Sequence, residues 1–164
     1  MLKKGHDFPI YLVGAGKEKY INNSKKLCKK LGVQDIVHFL GRRDDVHEIL
    51  ANHQISVLST HYEGLSGVVM EGMAAGNIVL ATDAPGVTEL IEDGENGFLI
   101  PPEDPESLAQ RLITVLKNPE KYSHIVKNAQ SFVSEELNVD NMVNNYENLL
   151  IKEIKRLERK KEKL

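Results

Sequence analysis

The sequence predicts an α/β fold, in which a doubly wound parallel sheet is followed by C-terminal helices. Short, continuous apolar runs alternate with segments of helical periodicity as far as residue 100. The apolar runs lack the polar–apolar alternation of a strand with one face in water, so they are expected to be covered on both faces. Strands of this kind that alternate with helices form βαβ units.

Five apolar runs are expected to be strands, namely residues 10–13, 36–40, 55–58, 78–81 and 97–100. Helices are expected to end at Leu31 before Gly32, to include Val46–Leu50, to run from Ser66 to near Gly76, and to cover Val87–Ile91. Ligands of open parallel sheets bind outside the carboxyl ends of the strands. The loops that follow the first four strands are therefore the place to look for a site.

From Asp104 onward the periodicity is purely helical. Asp104 is suited to be an N-cap with Pro105 in the first helical position, and Pro119 begins a further helix. The sequence is thus divided into an α/β domain over residues 1–137 and an amphipathic helix over residues 138–164. The end of that helix, residues 151–164, carries seven Lys or Arg against three Glu.

Composition excludes several classes of protein. A net charge of -3 and 5% aromatic residues argue against a nucleic-acid surface. One cysteine cannot form an internal disulfide or a cysteine-rich metal site. No signal peptide is apparent and no run approaches the ~20 apolar residues of a membrane span, so a cytoplasmic location is expected. The basic helix end leaves open a weak, peripheral contact with the inner membrane face, although a solvated end is favoured.

Two glycines, Gly14 and Gly16, follow the first expected strand. A phosphate-binding Walker loop would need Gly and Ser or Thr where the chain has Tyr11 and Glu18. A dinucleotide-binding fingerprint would need a third glycine where the chain has Lys19. Both motifs are rejected, and the two glycines indicate either close approach of a ligand to the backbone or a tight turn.

The loop after the third expected strand carries most of the functional information. Ser66 is a good N-cap, and the amides of residues 66–69 would lack intrahelical acceptors. Such amides at the positive end of a helix form an anion site. Gly64 and Gly67 lack side chains that would keep a phosphate away.

Two carboxylates, Glu63 and Glu71, flank this expected anion site. A carboxylate pair is also typical of glycoside hydrolases, but a neighbouring anion site suits a phosphate ester better. Carboxylates accept two hydrogen bonds from sugar hydroxyls, so one could hold a donor sugar and the other a ribose. Composition alone leaves open that both are ordinary surface residues.

Residues 63–76 resemble the E-x7-E signature of retaining, GT-B-fold glycosyltransferases (family 4, group 1), which include capsule, lipopolysaccharide and sucrose-type enzymes. The similarity continues, in the order and spacing of the family, at residues 13–16, 37–41, 83–91 and 93–100. The resemblance implies a Rossmann-like fold, the C-terminal half of a GT-B enzyme. It also implies transfer of a sugar, with retention, from a UDP or GDP donor, without a metal or cofactor.

The resemblance assigns roles to individual residues. Glu63 would be the catalytic residue that contacts the donor sugar near the reacting carbon, and Glu71 would hold the ribose. The other donor-binding positions would be the amides around Leu65, Ser66 and Gly67 at the distal phosphate, Gly41 and Arg42 near the base, and Gly14 and Gly16 facing the cleft.

Members of this family contain two such domains, so an acceptor-binding domain or chain is an expected partner, beside the nucleotide sugar itself. The first strand and helix of the donor domain are also expected to lie outside this sequence. Two alternatives remain: a non-catalytic nucleotide-sugar-binding or assembly module, and a sugar-nucleotide epimerase, which shares the architecture.

Overall fold

The protein is described by a computed structural model that covers residues 8–161. It divides into two compact units, Met1–Ile49 and Leu50–Leu164. The strands are β1 (Ile10–Val13), β2 (Val37–Gly41), β3 (Ile55–Leu58), β4 (Ile78–Thr82) and β5 (Phe98–Ile100). The helices are α1 (Glu18–Leu31), α2 (Val46–Ala51), α3 (Gly67–Ala74), α4 (Pro105–Lys117), α5 (Ser123–Glu136) and α6 (Val139–Lys161), with a 3-10 helix at Pro119–Tyr122.

All strand pairs in the described residues are parallel, which confirms the predicted α/β class. In the first unit β1 pairs with β2. In the second unit the strand order is β3–β4–β5, with β4 in the middle. Each unit therefore has its own parallel sheet, a division that the sequence pattern did not indicate.

The sheet of the second unit is covered on both faces. All five residues of β4 are buried, and its alternate side chains enter two separate apolar clusters. Val79 and Ala81 pack with Val69, Met73, Val87, Leu90, Ile91 and Ala129. Ile78 and Leu80 pack with Phe98, Val115 and Ile125. For β4, the continuous apolar run was correctly interpreted as a strand buried on both faces.

The first unit differs from this pattern. The four side chains of β1 are 36–43% exposed in the described part of the chain, although their sequence is as apolar as that of β4. The expected coverage on both faces therefore does not hold for β1.

The predicted helix ends agree with the structure at the end of α1 and at the beginning of α4. Gly32 adopts the left-handed conformation that ends α1. Asp104 accepts hydrogen bonds from the amides of Glu106 and Ser107, and Pro105 occupies the first turn of α4. The Ser107 hydroxyl, 2.6 Å from the Asp104 carboxylate, and these amides hold the pKa of Asp104 below its usual value.

The predicted helix over Val87–Ile91 is wrong, because residues 85–90 form successive turns instead. The amides of Thr88 and Ile91 make separate helical turns with the carbonyl oxygens of Ala84 and Val87, and these turns do not join into a helix. The buried side chain of Asn96 prevents the second turn from continuing. Its amide nitrogen donates to the carbonyl oxygen of Leu90, and its oxygen accepts from the amide of Glu92. These bonds use backbone groups that a longer helix would need, so the chain turns towards β5.

The C-terminal helix α6 occupies residues 139–161 of the predicted helix, whose last three residues, 162–164, lie outside the described residues, and it keeps an apolar stripe on its surface. The stripe comprises Val139, Met142, Val143, Tyr146, Leu149, Leu150, Ile151, Ile154 and Leu157, all exposed. Within residues 8–161, no helix has the length and apolar character needed to cross a membrane.

Leu80→Ala should lower the free energy of unfolding by about 3 kcal/mol, because a fully buried leucine leaves a cavity when truncated. Leu149→Ala is the matched control, since Leu149 is 55% exposed and its truncation should change stability by less than about 0.5 kcal/mol. Urea titration of both variants measures the difference. Equal losses would show that β4 is not the centre of the core.

Candidate functional site

The loop of residues 59–66 leaves the carboxyl end of β3 and leads into α3. This is the edge of a parallel sheet at which ligands bind. Three contacts set the conformation of the loop: two are with residues at and just after the end of β4, and the third is with the first turn of α3.

The first contact is made by Thr82, the last residue of β4, which is only 8% exposed. Its hydroxyl donates to the carbonyl oxygen of Leu58 at 3.2 Å and accepts from the amide of Thr60 at 2.7 Å. One hydroxyl thus joins the end of β3 to the beginning of the loop. Thr82 could not be identified from the sequence, since a threonine at the end of a strand has no special signal.

The second contact fixes the backbone of Glu63, whose amide donates to the carbonyl oxygen of Pro85 at 3.0 Å. Between these two points the Thr60 hydroxyl donates to the carbonyl oxygen of Tyr62 at 3.1 Å. The loop is therefore held to the end of β4 by its own backbone.

The third contact is the N-cap of α3. The Ser66 side chain is 1% exposed and accepts from the amide of Val69 at 3.4 Å, as the sequence predicted. The first turn of a helix has amides without intrahelical acceptors, and this cap takes only that of Val69. The amides of Gly67 and Val68 remain at the positive end of the helix, and a Cβ at Gly67 would meet only open space.

Glu63 and Glu71 both have half-buried side chains in the second unit. Glu63 is the loop residue whose amide binds the carbonyl oxygen of Pro85, and Glu71 lies in α3 beyond its first turn. Neither carboxylate forms a hydrogen bond or ion pair with any residue that the structure describes. Both carboxylates are therefore free of intramolecular partners in the part of the chain that the structure describes.

Gly72, the neighbour of Glu71 in α3, packs closely on the sheet, a role that was not predicted from the sequence. A Cβ on Gly72 would lie 2.5 Å from the Ser56 hydroxyl oxygen and 3.3 Å from Val79. Helix α3 therefore lies very close to β3 and β4 at this point. A larger residue at 72 would require the Ser56 side chain to rotate and Val79 to give way, or the helix to shift.

The predicted residues of the first unit form a separate group at the carboxyl ends of β1 and β2. The amide of Gly14 donates to the carbonyl oxygen of Gly41 at 2.8 Å, so these two glycines are neighbours. Both have positive φ angles, and a Cβ on either would contact nothing within 4 Å. Gly16 follows in the same loop.

Arg42 is exposed beside Gly41 and forms no ion pair within residues 8–161. By contrast Arg43 pairs with Asp45 at 2.5 Å, and its hydrogen bond holds the pKa of Asp45 below the usual value. Of these two adjacent arginines, Arg42 is thus the one whose charge is available to a ligand.

The chain matches the family described as Glycosyl transferases group 1 over residues 1–132. An uncharacterized glycosyltransferase of Haemophilus influenzae is 32% identical over 151 residues, which are 92% of this chain and 42% of that protein. The N-acetyl-alpha-D-glucosaminyl L-malate synthase of Bacillus anthracis is 32% identical over 143 residues, 87% of this chain and 37% of that enzyme.

Among solved structures, Anabaena HepE in complex with UDP-glucose superposes with a TM-score of 0.80 at 30% identity. The superposition covers 88% of this chain and 41% of HepE. The chain thus spans well under half the length of each of these relatives.

Thr82→Val should destabilise the protein by about 1–2 kcal/mol and speed hydrogen exchange of the Thr60 amide roughly tenfold, because that amide loses its acceptor. Thr82→Ser keeps the hydroxyl and should preserve slow exchange. Thr114→Val is a control, since the Thr114 hydroxyl bonds to a helix carbonyl at the surface. Slow exchange of Thr60 in Thr82→Val, measured by NMR, would contradict the described role of the hydroxyl.

Proposed function

The chain belongs to the group 1 glycosyl transferases, and from this membership we propose that it is the donor-binding part of an enzyme that transfers a sugar from a nucleoside diphosphate. One observation carries the proposal: two carboxylates, which have no partner among residues 8–161, flank a capped helix N-terminus at the carboxyl edge of a parallel sheet. The similarity to HepE, whose structure contains UDP-glucose, supports a donor of this chemical class.

The proposed phosphate contacts are backbone amides at the beginning of α3, with Leu65, Ser66 and Gly67 nearest the distal phosphate. A diphosphate carries negative charge, and the positive end of a helix together with uncapped amides stabilises such an anion. We propose that these groups neutralise the diphosphate without a metal ion. Glycine at 67 keeps the approach open, because no side chain covers the amides.

The two carboxylates are proposed to have separate roles. Glu71, fixed by the close packing of Gly72, would accept hydrogen bonds from the ribose hydroxyls. Glu63 would lie beside the donor sugar, where a carboxylate stabilises the positive charge that develops at the anomeric carbon during transfer. We further propose that configuration is retained, with the acceptor attacking from the side of the leaving group.

The acceptor is proposed to bind polypeptide beyond this chain, since the relatives are more than twice as long as the matched region. In the first unit Gly14, Gly16, Gly41 and Arg42 are proposed to contribute to nucleotide binding, because they are clustered at strand ends with open space around the two positive-φ glycines.

Glu71→Ala should weaken UDP binding about ten- to a hundredfold, since hydrogen bonds to a charged group contribute roughly 1.5–3 kcal/mol. Glu147→Ala, which removes an exposed helical glutamate on α6, is the matched control and should leave the affinity unchanged. Isothermal titration calorimetry in buffer with EDTA measures both, and also tests binding without metal. Equal affinities for Glu71→Ala and the unaltered protein would exclude the ribose role.

Glu63→Gln should leave UDP affinity within about twofold but reduce the rate of sugar transfer by roughly 10²–10³, the scale of lost transition-state electrostatics. The full-length protein is assayed by UDP release in the presence of acceptor, and by calorimetry with UDP. Transfer at a near-normal rate would remove Glu63 from the mechanism, whereas a parallel loss of UDP affinity would assign it to nucleotide binding.

A further inference from the structure

Six glycines in the described residues have positive φ angles, and Gly86 differs from the other five in its surroundings. At Gly14, Gly32, Gly41 and Gly94 an added Cβ would meet open space, and at Gly76 it would meet mainly the flexible end of a glutamine. At Gly86 the neighbouring atoms belong to the backbone of the loop that carries Glu63.

A Cβ on Gly86 would lie 2.5 Å from the carbonyl oxygen of Gly64 and 2.7 Å from the carbonyl carbon of Glu63, and it would overlap the Glu63 carbonyl oxygen. These are backbone atoms, so no side-chain rotation can relieve the overlap. The amide of Glu63 meanwhile donates to the carbonyl oxygen of Pro85. Pro85 and Gly86 therefore fix both the amide and the carbonyl of residue 63.

From this geometry we propose that Gly86 is a positioning residue for Glu63: its lack of a side chain sets where the backbone of residues 63 and 64 lies, and so where the Glu63 carboxylate meets the donor sugar. The proposal rests on the function proposed for Glu63. An alanine at position 86 would displace this backbone by roughly 1 Å, and a displacement of that size at a reacting centre lowers rates on the order of 10²-fold.

The alternative is that position 86 needs glycine only for its φ angle of +78°. Gly94 separates the two explanations, because its φ angle is +81° and an added Cβ contacts nothing within 4 Å. Alanine imposes the same backbone strain at both positions, but only at 86 does it also displace the Glu63 loop.

The test compares Gly86→Ala with Gly94→Ala in the full-length protein. We expect Gly86→Ala to lower kcat for transfer about a hundredfold with UDP affinity within threefold, and Gly94→Ala to change neither by more than threefold. Equal kcat in the two variants, or a loss of UDP affinity that matches the loss of kcat in Gly86→Ala, would overturn the proposal.

A double variant tests whether Gly86 acts through Glu63. If it does, adding Gly86→Ala to Glu63→Gln should lower kcat by less than threefold, because the positioned carboxylate is already gone. A full hundredfold further loss would overturn the proposal. A normal rate in Glu63→Gln alone would instead refute the proposed function, so the two failures are distinguishable.

If Gly86→Ala does not fold, Pro85→Ala tests whether the same turn positions Glu63, through its other backbone contact with that residue. It keeps the carbonyl that accepts from the Glu63 amide but frees the ring-restricted backbone beside it. We expect kcat to fall about threefold to tenfold with unchanged UDP affinity. An unchanged kcat in Pro85→Ala would then overturn the proposal.

Discussion

The burial of β4 on both faces is the constraint on which the second unit depends. Because its alternate side chains fill two different clusters, a one-residue slip of β4 would exchange the contents of both. The strand is therefore fixed along its own axis, and so are the residues at its carboxyl end. Thr82, Pro85 and Gly86 hold the neighbouring loop only because β4 places them there. Apolar packing in this way determines the positions of polar groups that do not belong to the core.

The site combines fixed backbone with unpaired side chains. The loop backbone is held by hydrogen bonds from Thr60 and Glu63, and the helix behind it is capped by Ser66. The carboxylates of Glu63 and Glu71, in contrast, have no partner in the described chain. Preorganised backbone lowers the cost of ordering on binding, and free carboxylates keep their full capacity for ligand hydroxyls. This division agrees with a site for a hydroxyl-rich anionic ligand.

Much of the fold was accessible from the sequence. Continuous apolar runs predicted the strands, Ser66 and Asp104 predicted helix beginnings, and the motif around residues 63–76 predicted the family, which the comparisons confirm. The short helix over Val87–Ile91 was predicted wrongly, because local periodicity does not show that the backbone there forms separate turns, the last of which ends where the Asn96 side chain binds. The exposure of β1 was missed for a related reason. An apolar run indicates what a strand needs to bury, whereas partners distant in sequence determine what it does bury. The individual roles in donor binding stay predictions.

The close packing of Gly72 on Ser56 has a consequence for the evolution of this site. The Ser56 hydroxyl is buried without a hydrogen-bond partner, a cost of about 1–3 kcal/mol. A methyl group at position 72 would need the space that this hydroxyl occupies, so substitutions at positions 56 and 72 depend on each other. A larger residue at one of these positions requires a smaller residue at the other, although neither residue would contact the substrate. The position of the helix that carries Glu71 therefore depends on a pair of residues in the core beneath it.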